Sequence, residues 1–287
     1  MKILVTGANG NLGSKIVEQL LLKTSTDNIV VGVRDINSNK AMQYMEQGIE
    51  VRVTDFEDIN TLKASFAGID RLFIVSTFGD YETVIRQHTH AVDAAKAAHV
   101  KQIVYSSVTK ADRSDFFLAQ LHRAREVVTI ETGLSYVILR NNWYVENEMN
   151  TIQGCKQGAP WITSAGEGKI GWVFRPDLAE ATANVLTEDG HDNKIYELSG
   201  ENLTQQQFVN TLSEVLGKEV ALMSVDDEQY ADMLKGAGVP EAYLPMLVMT
   251  QQGIRNGALE LELEQSDLET LLHRPATSLK QALTQLL

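Results

Sequence analysis

Three glycines near the beginning of the chain, Gly7, Gly10 and Gly13, are spaced three residues apart. The apolar run "ILV" precedes them, and a stretch with apolar residues at helical spacing follows them. Glycine lets a ligand approach the backbone closely, and the free N–H groups at a helix start attract phosphate. The spacing differs from the usual G-x-G-x-x-G, and a purely structural turn is the alternative. The strand–turn–helix context favours a site for the pyrophosphate of a dinucleotide.

A second candidate group lies at the end of the second predicted strand, "NIVVGVR". An acidic residue near this place hydrogen-bonds the ribose 2′-hydroxyl of NAD, whereas the guanidinium of Arg34 suits the 2′-phosphate of NADP. Arg34 therefore favours NADPH over NADH, and a solvated strand end is the alternative. Asp35 follows immediately and would repel the phosphate if its carboxylate pointed inward. Its alternative role is to cap the next helix.

Histidine and cysteine give no pattern typical of a metal site. His88 and His90 are two residues apart on a predicted helix, so they do not share a face as metal ligands would. Cys155 is the only cysteine, which also excludes an intrachain disulfide. We predict no metal ion.

Strand and helix patterns alternate through the first half of the chain. Runs typical of buried strands are "ILV", "NIVVGVR", "IEVRVTD", "DRLFIVS", "KQIVYSS" and "LSYVILR". Amphipathic stretches separate them. The alternation predicts an α/β fold, a Rossmann-type doubly wound parallel sheet with helices on both faces. Ligands of such sheets bind at the carboxyl ends of the strands.

The regular alternation ends after Arg140. The segment "PWITSAGEGKIGW" predicts loops or a short hairpin, "RPDLAEATANVLTE" a helix and "KIYELSG" one more strand, and the rest is mostly helical in pattern. We expect a dinucleotide-binding domain over residues 1–150 and a smaller, mostly helical substrate lobe over residues 151–287. Part of about 170–200 is expected to return to the Rossmann sheet.

Composition excludes several classes of partner. The chain has 287 residues, of which 44% are hydrophobic, as in ordinary globular proteins. Its formal net charge of −13 at pH 7 argues against nucleic acid and anionic membranes as partners. No signal peptide and no apolar run long enough to span a bilayer are evident. We expect a cytoplasmic protein that is a monomer or a homodimer.

The glycine-rich segment "VTGANGNLG" resembles the opening of the atypical, NmrA-like branch of the short-chain dehydrogenase/reductases. The later segments "AKAAHVKQIVYSS" (95–107), "VILRNNWYVEN" (137–147) and "HDNKIYELSG" (191–200) resemble the bacterial NAD(P)H:quinone oxidoreductases of type 2 and the related triphenylmethane-dye reductases. The likeness runs nearly end to end, and "LRNNWYVEN" is its more specific part.

The resemblance implies a set of cofactor-binding residues. The implied phosphate loop consists of Thr6, Gly7, Ala8, Asn9, Gly10, Asn11, Leu12 and Gly13. Arg34 is the implied clamp on the 2′-phosphate. The segment implied to run along the cofactor is Val75, Ser76 and Thr77. The segment implied to lie beside the nicotinamide and the substrate is Arg140, Asn141, Asn142, Trp143 and Tyr144, and Arg175 is implied near the cofactor.

The usual proton donor of short-chain reductases, Tyr-x-x-x-Lys, is absent from the sequence. His122 and Glu126 lie four residues apart on the corresponding helix and therefore share a face. Histidine can carry a proton near neutral pH, so we consider His122 a candidate catalytic acid paired with Glu126. An ordinary helical ion pair is the alternative. The absence of Tyr-x-x-x-Lys also favours conjugated acceptors, because a reduced quinone oxygen is weakly basic and needs no strong acid.

Six aromatic residues fall in predicted loops or at the ends of elements, where they could form a wall for a planar acceptor: Phe78, Phe116, Phe117, Trp143, Tyr144 and Trp172. Core packing is the alternative for each. We expect an NAD(P)H-dependent reductase that transfers a hydride to quinones or similar small planar conjugated acceptors, with Tyr144 as a second candidate catalytic residue. The alternatives are a triarylmethane-dye-type reductase and a non-catalytic NADP-sensing regulatory protein.

Overall fold

The computed structural model of the chain describes residues 1–262, 264 and 266–287. Its strands are β1 (Ile3–Thr6), β2 (Ile29–Val33), β3 (Glu50–Val53), β4 (Arg71–Ile74), β5 (Gln102–Val108), β6 (Ser135–Asn141), β7 (Trp161–Thr163), β8 (Lys169–Gly171), β9 (Lys194–Leu198), β10 (Asn202–Thr204) and β11 (Leu222–Ser224). Its helices are α1 (Asn11–Leu21), α2 (Asn39–Glu46), α3 (Ile59–Phe66), α4 (Tyr81–Ala97), α5 (Phe117–Glu131), α6 (Met149–Lys156), α7 (Arg175–Thr187), α8 (Gln205–Leu216), α9 (Asp227–Gly236), α10 (Leu244–Arg255), α11 (Leu268–Leu272) and α12 (Leu279–Leu286).

The central sheet has seven strands in the order β3-β2-β1-β4-β5-β6-β9. Every neighbouring pair in it is parallel, and Val5 of β1 lies between Val31 of β2 and Phe73 of β4. The chain moves outward in one direction from β1 to β3 and then returns to β4 on the other side of β1. This reversal opens a crevice at the carboxyl ends of β1 and β4, where such sheets bind ligands. The predicted Rossmann-type α/β fold is confirmed.

Helices cover both faces of the sheet, which explains why its inner strands are continuous apolar runs. Apolar residues of α1 and α7, such as Ile16 and Leu178, pack on one face with Val5. Residues of α3 and α4, such as Leu62 and Val92, pack on the other face. Both faces of the sheet are therefore covered, and the loops that could form a site follow the strand ends.

A second core lies beside the sheet and gathers α6, α8, α12 and the short strands β7 and β8. The expectation of a hairpin in "PWITSAGEGKIGW" is wrong, because β7 pairs in parallel with β11, and β8 pairs antiparallel with β10. Trp161 of β7 and Ile170 of β8 both enter this core with Phe208, and their strand partners come from later in the chain.

After β8 and α7 the chain returns to the central sheet, where β9 pairs in parallel with β6. The domain boundary at residue 150 stays a prediction. No helix of the described part of the chain is long and apolar enough to cross a membrane.

Candidate functional site

A cleft of about 780 Å³ opens where the carboxyl ends of β1, β2 and β4 meet. Most of the predicted cofactor residues line it: Gly7, Asn9, Gly10, Asn11, Leu12, Gly13, Arg34, Val75, Ser76, Thr77, Tyr144 and Arg175. Lining residues that the sequence analysis missed include Thr54, Asp55, Phe56, Glu57, Gln87 and Asn147. The segment 54–57 directly follows β3, so its place at the carboxyl end of a strand was the available signal.

The glycine-rich turn joins β1 to α1 and forms one wall of the cleft. Gly7 adopts a φ of +61°, and its carbonyl oxygen accepts the N–H of Gly10 at 2.8 Å. Gly10 occupies the N-cap position of α1 but has no side chain to accept a hydrogen bond from the helix, and the first turn of α1 contains no acidic residue. The first N–H groups of a helix have no partner inside it, so this uncapped end suits an anion.

The space around Gly10 gives an independent test of the fit. A Cβ atom at Gly10 would meet only the carbonyl oxygen of Gly7, at 3.1 Å, so a longer side chain would extend into the cleft. A Cβ atom at Gly7 would lie 2.5 Å from Cγ1 of Val75. Gly7 is therefore packed against the loop after β4, and the open space at Gly10 is a cradle that a bound diphosphate can occupy.

Two of the predicted phosphate-loop residues, Thr6 and Ala8, connect the turn to neighbouring parts of the fold. The Oγ1 atom of Thr6 accepts the N–H of Val75 at 3.0 Å, which joins the ends of β1 and β4. Ala8 is fully buried, and its carbonyl oxygen accepts the Tyr44 hydroxyl at 2.8 Å. The structure places both outside the lining of the cleft.

Arg34 is exposed at the end of β2 and lines the cleft. The neighbouring Asp35 does not cap α2, because Ser38 does so by accepting the N–H of Ala41. Asp35 lies three residues earlier, and its Oδ1 atom accepts the N–H of Asn37 at 2.9 Å. The alternative role of Asp35 as the cap of α2 is therefore wrong. Its carboxylate instead accepts the hydrogen bond that closes the turn before this helix.

The loop after β4 is tied to β5 and α5. The N–H of Ser76 donates to Oγ of Ser106 at 3.2 Å, and Nη2 of Arg125 donates to the carbonyl oxygen of Thr77 at 2.9 Å. Arg125 is only 2% exposed. Phe78 follows these anchored residues and also lines the cleft.

Tyr144 and Arg175 also line the cleft. The guanidinium carbon of Arg175 lies 5.1 Å from the centroid of the Tyr144 ring, and Nδ2 of Asn141 donates to the Tyr144 hydroxyl at 3.1 Å. Burial raises the pKa of Tyr144 despite opposing effects of Asn141 and Arg175, so its phenol is neutral at pH 7. The carboxylate of Glu146 accepts the N–H of Arg175 at 3.1 Å and fixes the start of α7.

Two buried polar atoms near Tyr144 have no hydrogen-bond partner within the described residues, Oδ1 of Asn141 and Nε of Arg175. Such atoms are rare in folded proteins and are completed by a ligand or by water when they adjoin a cleft. Arg175 lines the cleft and Asn141 does not, so Nε of Arg175 is the atom of the two that is placed to meet a ligand there.

Arg140 lies away from the cleft, although the resemblance implies a cofactor role for it. It is 6% exposed, and it contacts Glu126 at 2.7 Å, Asp112 at 2.9 Å and Glu197 at 3.2 Å. Burial disfavours its charge, but the hydrogen bonds that Arg140 donates to Glu126, together with the nearby carboxylates, keep the pKa of Arg140 above its usual value. The structure places Arg140 in a buried ion network that joins α5, β6 and β9.

Asn142 and Trp143 also point elsewhere. Nδ2 of Asn142 donates to Oγ of Ser199 at 2.9 Å and to the Leu259 carbonyl oxygen at 3.1 Å. Nε1 of Trp143 donates to Glu148 at 2.8 Å. Neither residue lines the cleft. Both connect the end of β6 to the second core.

The expected pairing of His122 with Glu126 is wrong. His122 contacts the Tyr105 hydroxyl through Nδ1 at 2.8 Å, whereas Glu126 accepts hydrogen bonds from Ser107 and Arg140. Burial and the nearby charge of Arg125 lower the pKa of His122 to about 3. The imidazole is therefore neutral at pH 7, and it lies outside the lining of the cleft. Its neutral state and its position argue against His122 as the catalytic acid, and that role stays a prediction from the sequence.

The expected wall of six aromatic residues is reduced to Phe78 and Tyr144, which line the cleft. The other four lie in or against the second core: Phe116, Phe117, Trp143 and Trp172. Core packing, the alternative, is correct for these four. Among the described residues, no group of three or more His, Cys, Asp and Glu is placed to hold a metal ion.

Comparison with known proteins agrees with this geometry. The NmrA-like family model matches residues 1–274. The chain is 34% identical over 285 residues to quinone oxidoreductase 2 from Escherichia coli K12, which covers 99% of this chain and 98% of that protein.

Two solved structures are similar over their full length. A triphenylmethane reductase from Citrobacter sp. in complex with NADP(H) superposes with a TM-score of 0.94 at 33% identity, covering 100% of both chains. An NADPH-dependent quinone oxidoreductase from Escherichia coli in complex with NADPH superposes with a TM-score of 0.92 at 34% identity, covering 99% of both chains. With this fold, this cleft and a family match over nearly all of its length, the chain belongs to the NmrA-like family.

Proposed function

We propose that the protein is an NADPH-dependent oxidoreductase that transfers a hydride to quinones or similar planar conjugated acceptors. The observation that carries this proposal is the cleft itself. It combines the uncapped start of α1 at Gly10 with exposed Arg34 at one side and Tyr144 at the other. The full-length similarity to a quinone reductase and a dye reductase supports the same reaction class.

Each wall of the cleft has a separate part in holding the cofactor. The N–H groups at the start of α1 bind the diphosphate, and Arg34 pairs with the 2′-phosphate. Arg175 offers an Nε–H group that lacks a partner within the described residues. NADPH, when bound, supplies the hydride, while the chain orients it and shapes the acceptor site.

The titratable groups of the cleft favour acceptors that need no strong acid. Asp35, Asp55 and Glu57 follow β2 and β3, on the side away from Tyr144. The raised pKa of Tyr144 keeps its proton on the phenol. Water can protonate a reduced quinone oxygen because that oxygen is weakly basic. A simple ketone would instead require a positioned acid for its strongly basic alkoxide.

A cationic triarylmethane dye is a second candidate acceptor, since such a dye needs only the hydride. The TM-score of 0.94 to a triphenylmethane reductase favours its inclusion. A protein that binds NADP as a regulatory signal is the alternative from another class. A cytoplasmic location and a monomeric or homodimeric state stay predictions from the sequence.

The deciding experiment follows NADPH oxidation by absorbance with benzoquinone, naphthoquinones and triarylmethane dyes, and measures NADPH binding by calorimetry in parallel. We expect turnover with quinones, with Gly10→Val as the matched inactive control. Turnover with dyes but not quinones would assign the dye reaction. Tight NADPH binding with no turnover of any acceptor would contradict the proposal and favour the regulatory alternative.

A further inference from the structure

Phe78 is the most exposed large apolar side chain in the described part of the chain, at 95%. It lines the cleft, whereas the nearby aromatic residue Tyr81, at 56% exposure, does not. An apolar ring that points into solvent at the edge of a binding cleft has surface to bury when a ligand arrives.

Hydrogen bonds fix the loop on both sides of Phe78. Before it, Ser106 holds the N–H of Ser76 and Arg125 holds the Thr77 carbonyl oxygen. After it, Asp80 caps α4 by accepting the N–H of Thr83 at 2.9 Å. The backbone on both sides of Phe78 is therefore fixed by hydrogen bonds.

The hydrogen-bond partners of Ser76 and Thr77 also indicate where the Phe78 loop lies along the cleft. Ser106 belongs to β5 and Arg125 to α5, on the same side of β1 as β6 and Tyr144. Arg34 and the segment 54–57 follow β2 and β3 on the other side of β1. The two residues before Phe78 are therefore held from the side of the cleft where Tyr144 is found, whereas α4 after it contacts the segment 54–57 through the hydrogen bond from Gln87 to Glu57 at 2.8 Å.

We propose that Phe78 is the stacking surface for the acceptor and makes the site selective for planar fused-ring compounds over single rings. This inference rests on the proposed function. Offset stacking requires an exposed ring, and a bicyclic quinone covers more of that ring than benzoquinone does. Arg125 acts as a positioning residue, since it holds the Thr77 carbonyl and does not line the cleft.

The test compares Phe78→Ala with Phe78→Trp and with the matched control Tyr81→Ala, which removes an exposed aromatic ring outside the cleft. Calorimetry with NADP⁺ present and no reductant gives the Kd of 1,4-naphthoquinone, and a separate titration without NADP⁺ or acceptor gives the Kd of NADPH. Circular dichroism checks folding. Because Phe78 is exposed, its replacement removes little buried surface, and we expect the variant to fold. Steady-state KM values for naphthoquinone and benzoquinone complete the set.

We expect Phe78→Ala to raise the Kd and KM for naphthoquinone by roughly three- to tenfold and those for benzoquinone by less. Phe78→Trp and Tyr81→Ala should stay near wild type, and NADPH affinity should not change. An unchanged Kd for naphthoquinone, or no measurable binding to wild type, would overturn the inference. A loss of NADPH affinity in Phe78→Ala would overturn it too, because the ring would then hold the cofactor. If naphthoquinone binding depends on Phe78 and yet no NADPH is oxidised, the proposed function fails while the binding surface stands.

Discussion

Gly13 lies so close to Gly7 that a Cβ atom on Gly13 would be 2.3 Å from the carbonyl oxygen of Gly7 and 2.8 Å from the carbonyl carbon of Gly7. A Cβ atom on Gly10, by contrast, would meet only the same oxygen at 3.1 Å. Two glycines of one turn therefore have different functions. Gly13 allows α1 to pack onto the turn, and Gly10 leaves room for a ligand.

This difference predicts opposite consequences of substitution. Gly10→Val should weaken NADPH binding by more than about tenfold with a small change in Tm, because its branches occupy the diphosphate space. Gly13→Ala should instead lower the free energy of unfolding by about 1–3 kcal/mol, as overpacking does. Calorimetry and thermal unfolding separate the two. Unchanged NADPH affinity in Gly10→Val would contradict the phosphate site.

Arg34 should set the preference for NADPH over NADH. Loss of a charge-assisted hydrogen bond costs about 1.5–3 kcal/mol, so Arg34→Ala should reduce the ratio of the two affinities by roughly ten- to a hundredfold. Calorimetric Kd values for both cofactors measure the ratio. Lys23→Ala, which removes an exposed cation outside the cleft, is the matched control. A wild-type preference for NADH would mean that the charge of Asp35 dominates.

Sequence reasoning located the parts of the site that are local in the chain. The glycine turn and Arg34 directly follow strands, so the strand pattern alone brings them to the carboxyl edge of the sheet. Arg140 differs, because its partners Glu126 and Glu197 are distant in sequence and come together only when α5 and β9 pack beside β6. For the same reason the spacing of His122 and Glu126 could not reveal that Tyr105 and Arg140 are their actual partners.

His122→Ala should leave quinone reduction within about tenfold of wild type. A positioned general acid contributes typically 10²–10⁴-fold, and the neutral imidazole bonded to Tyr105 does not line the cleft. Values of kcat and kcat/KM with benzoquinone across neutral pH test this. A hundredfold loss of kcat, together with loss of a near-neutral inflection, would restore His122 as the acid.

Glu126→Ala should affect stability more than chemistry. Removing one partner of a buried ion pair costs about 3–5 kcal/mol, and we expect the lower end because Arg140 keeps Glu197 and Asp112. Urea unfolding measures the loss, with Glu131→Ala on the exposed surface of the same helix as control. Equal stability of the two variants would contradict the importance of the network.

The last prediction concerns acid stability and His88. This residue is 4% exposed, its Nε2 contacts Oγ1 of Thr129 at 2.8 Å, and burial with the charge of Arg125 lowers its pKa to about 3. The unfolded chain takes up a proton on this histidine below pH 6.5, its ordinary pKa, whereas the folded chain does not until about pH 3. Stability is therefore lost as the pH falls through this window, by about 1.4 kcal/mol per pH unit, and His122 adds in the same direction.

His88→Gln removes the titrating group, and its amide can still reach Thr129. Between pH 7 and pH 5 the wild type should lose about 2 kcal/mol more of its unfolding free energy than this variant does. Urea unfolding at the two pH values measures the difference, with exposed His99→Asn as the control because asparagine tolerates the positive φ of that position. An identical pH dependence in wild type and His88→Gln would mean that His88 accepts a proton in the folded protein. The buried contacts of His88 with Thr129 and with the Tyr105 ring would then have to open to water above pH 5.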